Sequence, residues 1–221
     1  MGGHIPVLLD ECIKYLNIKP DGVYVDGTLG MGGHSEAIAK LLTTGRLISI
    51  DRDAYAIERA GERLAPYADR VTIVRGNFRD LGAILDEQGV GLVDGMLFDL
   101  GVSSPQLDEG GRGFSYMVDA PLDMRMDKSD NIDAWFIVNR WPEEKIFRIL
   151  RDYGEERHAS RIAKAIAARR EEKDIKTTAE LVELIKSAMP AAALREKQHP
   201  AKRSFQAIRI AVNDELGAVS E

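Results

Sequence analysis

Val25-Asp26-Gly27-Thr28-Leu29-Gly30-Met31-Gly32-Gly33-His34 is the stretch whose reading decides the fold. Gly22 to Asp26 reads as a short buried strand on Val23, Tyr24 and Val25. His34 to Leu42 reads as a helix, with Ala37, Ile38, Leu41 and Leu42 at helical spacing. A glycine-rich turn from strand to helix lets backbone N–H groups and a helix N-terminus come close to a ligand. Arg46 to Asp51 is a second strand, and a carboxylate at its tip can accept hydrogen bonds from ribose hydroxyls. These features imply a nucleoside-containing cofactor. The plainer reading is a turn that needs positive φ and nothing more. Four glycines in seven residues, placed strand to helix ahead of Asp51, argue for the ligand.

The glycine spacing bears on which cofactor. A G-x-G-x-x-G pattern fails, because its third glycine falls on Ser35 when counted from Gly30, and its second on Leu29 when counted from Gly27. The run is close to the D/E-x-G-x-G-x-G of S-adenosyl-L-methionine sites, with Thr28 in place of one glycine. An NAD-dependent oxidoreductase on the same fold is the alternative that the failed pattern disfavours.

Working outward, strand and helix alternate. Strand Arg46–Asp51 leads to helix Ala54–Leu64, strand Val71–Arg75 to helix Leu81–Gln88, and strand Leu92–Asp99 follows. Repeated β-α units of this length predict an α/β, doubly wound, mostly parallel Rossmann-like sheet, with ligands at the carboxyl ends of the strands. Those ends carry Asp26, Asp51, Asn77 and Asp99. Leu100 to Asp133 then reads as a long Gly-, Ser-, Asp- and Pro-rich loop. Helices are expected over Trp141–Tyr153, Glu156–Arg170, Thr178–Ser187 and Arg203–Leu216, with Thr177 and Glu180 as a capping box. The domain reading is an α/β core over 1–106 and 210–221, interrupted by a loop and helical insertion over 107–209. Trp135, Phe136 and Trp141 are expected in the core of that insertion.

The net charge of −6 argues against nucleic acid, but its distribution argues for it. Residues 1–139 hold 13 Lys and Arg against 22 Asp and Glu, whereas residues 140–209 hold 17 against 11. A basic block on an acidic protein suits a polyanion-binding face, although a solvated helical surface has the same composition. Cys12 is the single cysteine, which excludes an internal disulfide and suits a reducing compartment. No signal peptide or membrane-spanning run is visible, so a soluble, cytoplasmic protein with no membrane partner is expected. His4, His158 and His199 lack partners at metal-ligand spacing, and no metal site is expected.

The tip of the fourth strand reads Phe98-Asp99-Leu100-Gly101-Val102-Ser103-Ser104-Pro105-Gln106-Leu107-Asp108. Amino-group methyltransferases carry a D/N-P-P-Y/F/W segment here, whose first side chain accepts an amino proton and aims the nitrogen lone pair at the methyl carbon. With His4-Ile5-Pro6-Val7-Leu8-Leu9, Asp51-Arg52-Asp53, Arg112-Gly113-Phe114-Ser115, Leu122-Asp123-Met124-Arg125-Met126 and Arg203-Ser204-Phe205-Gln206-Ala207-Ile208-Arg209, the chain resembles the ribosomal RNA small-subunit methyltransferase H family. That resemblance implies S-adenosyl-L-methionine-dependent methylation of a cytosine N4 in the decoding centre of 16S ribosomal RNA. It also implies a homodimer and the small ribosomal subunit as partner. It assigns Gly32, Gly33 and His34 to the methionine part of the cofactor and Asp51 to its ribose. Phe78, Asp99 and Gln106 complete the cofactor pocket, and Asp99 is the catalytic candidate. Phe114 and Tyr116 are candidates to stack on a flipped cytosine, with core packing as the equal alternative. Arg203 and Arg209 are candidates for phosphate contact. Members of the family continue beyond Asn213-Asp214-Glu215-Leu216, so a chain ending at Glu221 is expected to expose a sheet edge. A catalytically impaired cofactor- or RNA-binding remnant is the reading that follows from that ending.

Overall fold

The computed structural model describes residues 6–102, 106 and 110–220. His4 and Ile5 of the N-terminal motif, and Ser103, Ser104, Pro105, Leu107 and Asp108 of the strand-4 motif, lie outside the described residues. The chain forms two compact units, Met1–Ser103 and Ser104–Ser220.

In the first unit, β1 (Val23–Asp26), β2 (Arg46–Asp51), β3 (Val71–Arg75) and β4 (Gly95–Leu97) form one parallel sheet in the order β3-β2-β1-β4. The helices α1 (Leu9–Leu16), α2 (Gly33–Leu41), α3 (Ala54–Leu64) and α4 (Leu81–Glu87) flank it. Alternation along the strands sends side chains to both faces. Tyr24 and Leu47 pack with Ile38, Ala39 and Leu42, while Ile13 and Leu16 of α1 close over them. Ala60 and Leu64 of α3 pack with Leu29, Val71 and Ile73. On the opposite face Val25, Ile48 and Ile50 meet Ile84 and Leu85 of α4. The winding direction therefore reverses between β3 and β4, which places the topological switch point between the neighbouring strands β1 and β4.

The second and third strands match the sequence reading residue for residue and β1 starts one residue later than Gly22, but β4 is much shorter than Leu92–Asp99. Its start is consumed by a different job. The Asp94 carboxylate accepts the Val23 amide at 2.9 Å and the Lys19 ammonium at 2.8 Å. Among the described residues β4 pairs with β1 alone, so no second ladder extends it.

The second unit is helical: α5 (Ala134–Arg140), α6 (Glu143–Asp152), α7 (Ala159–Glu172), α8 (Thr178–Ala188), α9 (Lys202–Asn213) and α10 (Glu215–Ser220). Sequence reading missed α5. Its N-cap is Asp133, whose carboxylate accepts the Phe136 amide at 2.7 Å. Pro142 pushes Trp141 into an extended conformation, which separates α5 from α6. The expected aromatic core is also corrected. Trp135 and Trp141 are half-buried and Phe136 is exposed, whereas Ile137, Val138, Ile146, Leu150, Ile162, Ile166 and Ile185 are buried. Arg140 and Lys145 lie over the Trp135 and Trp141 rings, at 4.6 and 3.4 Å from the centroids, so the rings sit where a cation can stay wet. The single helix expected over Arg203–Leu216 breaks at Asp214, which takes a left-handed conformation at φ 48°. Residues 210–220 lie with the helical unit, where the sequence reading had returned them to the core.

The long loop before α5 is irregular yet tightly held. Arg112 donates to the carbonyls of Arg125 and Met126 at 3.0 and 3.1 Å. Asn213 accepts the Met126 amide and donates to the Met124 carbonyl, both at 2.8 Å. Arg125 grips Asp123 at 2.6 Å, and that guanidinium outweighs burial to hold the Asp123 carboxyl below its ordinary range. Gly113 sits at φ 74° against the Pro121 carbonyl, a position no L side chain fits without strain. At the α8 start Thr177 accepts the Glu180 amide, but the Glu180 carboxylate takes the Lys176 amide at 2.6 Å, one residue earlier than a capping box requires.

Candidate functional site

The site lies at the carboxyl ends of β1, β2 and β4, where the glycine loop crosses to α2. Gly27 accepts nothing larger than hydrogen, because a Cβ there would run into the Phe98 ring. Gly30 and Gly32 have φ of 51° and 74°, so the loop needs glycine at both. Leu29 bonds the Ile50 carbonyl at 2.9 Å and Gly27 the Leu97 carbonyl at 2.9 Å, which stitches the loop to both neighbouring strands. Gly32 is the N-cap of α2 and contributes no side chain, leaving first-turn amides for another partner.

Three aspartates have three different environments. Asp26 is fully buried; its carboxylate accepts the Ser35 hydroxyl at 2.6 Å and the Thr28 amide at 3.1 Å. Ser35 also meets the Ser49 hydroxyl of β2 at 2.8 Å. Burial pushes the Asp26 carboxyl up, against the pull of those hydrogen bonds, so this residue fastens α2 to the sheet. Asp51 accepts the Gly30 amide at 2.8 Å and the Asp53 amide at 2.9 Å. Burial raises its carboxyl as well, with both amides opposing. A carboxylate has lone pairs beyond the two engaged here, so Asp51 can shape the loop and still accept from hydroxyls. Asp99 is exposed, and its own amide donates to the Thr28 hydroxyl at 2.6 Å.

Sequence reasoning missed that last contact. Thr28 breaks the glycine pattern, and its hydroxyl is what ties the β4 tip to the loop. The departure from the glycine motif was the available signal. His34 contributes its ring as well as its backbone to this edge. That ring is buried, with Nε2 3.2 Å from the Val7 carbonyl oxygen and Nδ1 3.9 Å from the Asp99 carboxylate. Phe78 is half-buried and meets Phe98 edge to face at 5.4 Å, an aromatic edge beside Gly27.

The remaining candidates belong to the helical unit. Gln106 is buried there. Phe114 is 5 % exposed, with the Arg112 guanidinium 5.3 Å from its ring, so packing occupies it. Tyr116 stacks on His199 at 4.5 Å and lines a cavity of about 260 Å³ with Lys186 and Val182. Arg203 donates to the Glu155 carbonyl at 3.2 Å. Arg209 makes a two-pronged ion pair with Glu215 at 2.8 and 3.0 Å, which neutralises the cation that sequence reading assigned to phosphate. Among the described residues no cluster of His, Cys, Asp or Glu could hold a metal, and no helix is long and apolar enough to cross a membrane.

A parallel sheet in 3-2-1-4 order, with a glycine-rich β1–α2 loop and an acidic β2 tip, defines a Rossmann-like α/β protein with a ligand edge at its switch point. Residues 1–221 match the MraW methylase family, and the chain belongs to it. It is 59% identical over 219 residues to the ribosomal RNA small subunit methyltransferase H of Brevibacillus brevis, covering 99% of this chain and 70% of that protein. The protein of the same name from Symbiobacterium thermophilum is 56% identical over 217 residues, covering 98% of this chain and 68% of the relative. The chain thus spans about 70% of the length of the first of these relatives. Among solved structures, an rRNA methylase from Streptococcus thermophilus matches with a TM-score of 0.37 and 17% identity over 54% of this chain and 72% of the other.

Proposed function

We propose that this chain transfers a methyl group from S-adenosyl-L-methionine to the N4 amino group of a cytosine in the decoding centre of 16S ribosomal RNA, acting in the cytoplasm on the small ribosomal subunit. The observation that carries this reading is Asp99: an exposed carboxylate at the β4 tip, held by its own amide on Thr28, beside the glycine loop. The residues present fit such a cofactor. At Gly30 the space a Cβ would take is open, which allows close approach, and Asp51 retains acceptor capacity for ribose hydroxyls. Phe78 and Phe98 offer the apolar aromatic edge that a purine needs. In this reading the amides of Gly32, Gly33 and His34 hold the methionine end.

When bound, the cofactor supplies a methyl group on a sulfonium, already a good leaving group. The protein's task is then positioning. The Asp99 carboxylate accepts a hydrogen bond from the amino group, which orients the nitrogen lone pair, and its charge favours the positive nitrogen that develops before that nitrogen releases its proton to solvent. No nucleophilic side chain is required. A homodimer belongs to the same reading and is checked by sedimentation.

Calorimetry with S-adenosylhomocysteine and NADH separates methyl transfer from hydride transfer. For the chemistry, Asp99→Asn keeps size and one acceptor but loses the charge. Single-turnover transfer from labelled cofactor to small subunits should slow by about ten- to a thousandfold, with cofactor affinity changed only modestly. A parental rate in Asp99→Asn would return Asp99 to the role of a loop cap. Label found elsewhere than on cytosine N4 would sink the assignment of the acceptor.

A further inference from the structure

We propose that the helical unit meets ribosomal RNA phosphates where the turn leading into α7 packs on the start of α9. This rests on the ribosomal RNA reading above and says which surface serves it. Residues 140–209 hold 17 Lys and Arg, but most are engaged inside the unit. Arg140 pairs with Asp174, Arg148 with Glu144, Arg151 with Asp152, Lys173 with Glu180, Lys186 with Glu183 and Arg209 with Glu215, at 2.6 to 3.5 Å. Arg169 and Arg170 donate to backbone carbonyls, and Lys145 lies on Trp141. Such cations are already compensated, and a phosphate would have to compete for them.

Seven differ: Arg157, Arg161, Lys164, Lys176, Arg195, Lys197 and Lys202 are exposed and have no side-chain hydrogen bond or ion pair among the described residues. Of these, Arg157, Arg161, Lys164 and Lys202 lie on the turn into α7, on α7 and at the start of α9. Arg203 beside them is held only by the Glu155 carbonyl. The turn before α7 lies directly on the first turn of α9: Gln206 donates to the Tyr153 carbonyl at 3.4 Å, and a Cβ on Gly154 would sit 2.6 Å from the Arg203 carbonyl oxygen. Arg161 is in the first turn of α7 and Lys164 follows three residues on, away from the buried Ile162, Ala163 and Ile166. Neither α7 nor α9 has a side-chain N-cap, so their first-turn amides add positive potential to the same end. Unpaired guanidinium and ammonium groups over two helix starts suit the phosphodiester backbone of RNA, whose binding releases condensed counterions.

The test uses the full chain and a fluorescein-labelled small-subunit ribosomal RNA transcript, with anisotropy read across a salt series. The triple variant Arg157→Glu/Arg161→Glu/Lys202→Glu should bind at least about tenfold more weakly, with a log–log salt slope flatter by roughly two to three. Lys176→Glu is the control. Lys176 is exposed and lies beyond the far end of α7, whose 14 residues span about 21 Å, so its affinity should stay within about twofold of the parent. Glu155→Gln, which removes an exposed carboxylate from the patch, should tighten binding. The triple Gln variant repeats the experiment without charge reversal, and retained S-adenosylhomocysteine binding verifies folding. Parental affinity and slope in the triple variant, or an equal loss per charge in Lys176→Glu, would overturn the placement. A parent that binds S-adenosylhomocysteine but no ribosomal RNA at any salt would sink the substrate reading itself, and the patch with it.

Discussion

Asp51 serves its own loop as well as any ligand, and the two duties can be measured apart. Its carboxylate holds the Gly30 amide at 2.8 Å and the Asp53 amide at 2.9 Å, in a nearly buried position. Asp51→Ala removes both acceptors. Hydrogen bonds to a charged group contribute about 1.5–3 kcal/mol each, but the half-buried Gly30 amide can recover part of that from water. The variant should therefore lose about 2–4 kcal/mol of stability without any cofactor present, read as a lower urea midpoint at unchanged slope. Binding of S-adenosylhomocysteine, followed by calorimetry, should weaken by a further 1.5–3 kcal/mol or so, because the acceptor for the ribose hydroxyls is gone. Asp51→Asn keeps one acceptor and should fall between parent and Ala variant on both scales. Parental affinity in Asp51→Ala would refute the ribose assignment. A parental urea midpoint would refute the argument that this carboxylate shapes the glycine loop.

Two further outcomes follow from buried polar groups. Burial raises the Asp26 carboxyl above the ordinary 3.8, so the folded state holds that proton more tightly than the unfolded chain does. The stability it adds is fully present below that ordinary value and is lost as pH rises through the raised one. Asp26→Asn can donate to the Ser35 hydroxyl, which then donates to Ser49, so its urea midpoint should lack this decline and compare best with the parent at neutral pH. A constant difference between the two proteins from pH 4 to 8 would show that Asp26 does not titrate this way. In the helical unit, Asn213→Ala strips partners from the Met124 carbonyl and the Met126 amide. It should cost about 2–3 kcal/mol in chemical denaturation, and a loss within a few tenths would mean that the loop is not pinned there.

Much of the first unit was legible because its signals are local. Val23–Asp26, Arg46–Asp51 and Val71–Arg75 are apolar runs stopped by turn residues, and the structure ends them at the same positions. The glycine loop was legible for the same reason: two of its glycines have positive φ, and a third leaves room only for an aromatic ring. Asp94 falsified the length of β4, since whether an aspartate extends a strand or caps its neighbour depends on which amide lies opposite. Thr28 looked like a flaw in the motif and is the tether of Asp99.

The sequence by itself determined the α/β alternation, the loop that marks the ligand edge, and the aspartates at the strand tips, because periodicity and turn chemistry act over a few residues. The tertiary structure decided what each polar group does. Only the packed chain distinguishes Asp26, an internal fastener, from Asp99, exposed at the β4 tip, or Arg209, neutralised by Glu215, from Arg157 and Arg161, which are unpaired among the described residues. Charge composition is additive along a chain. Compensation of charge depends on which groups meet in space, and a difference of a few ångströms sets whether a cation is a structural pair or a surface for a polyanion.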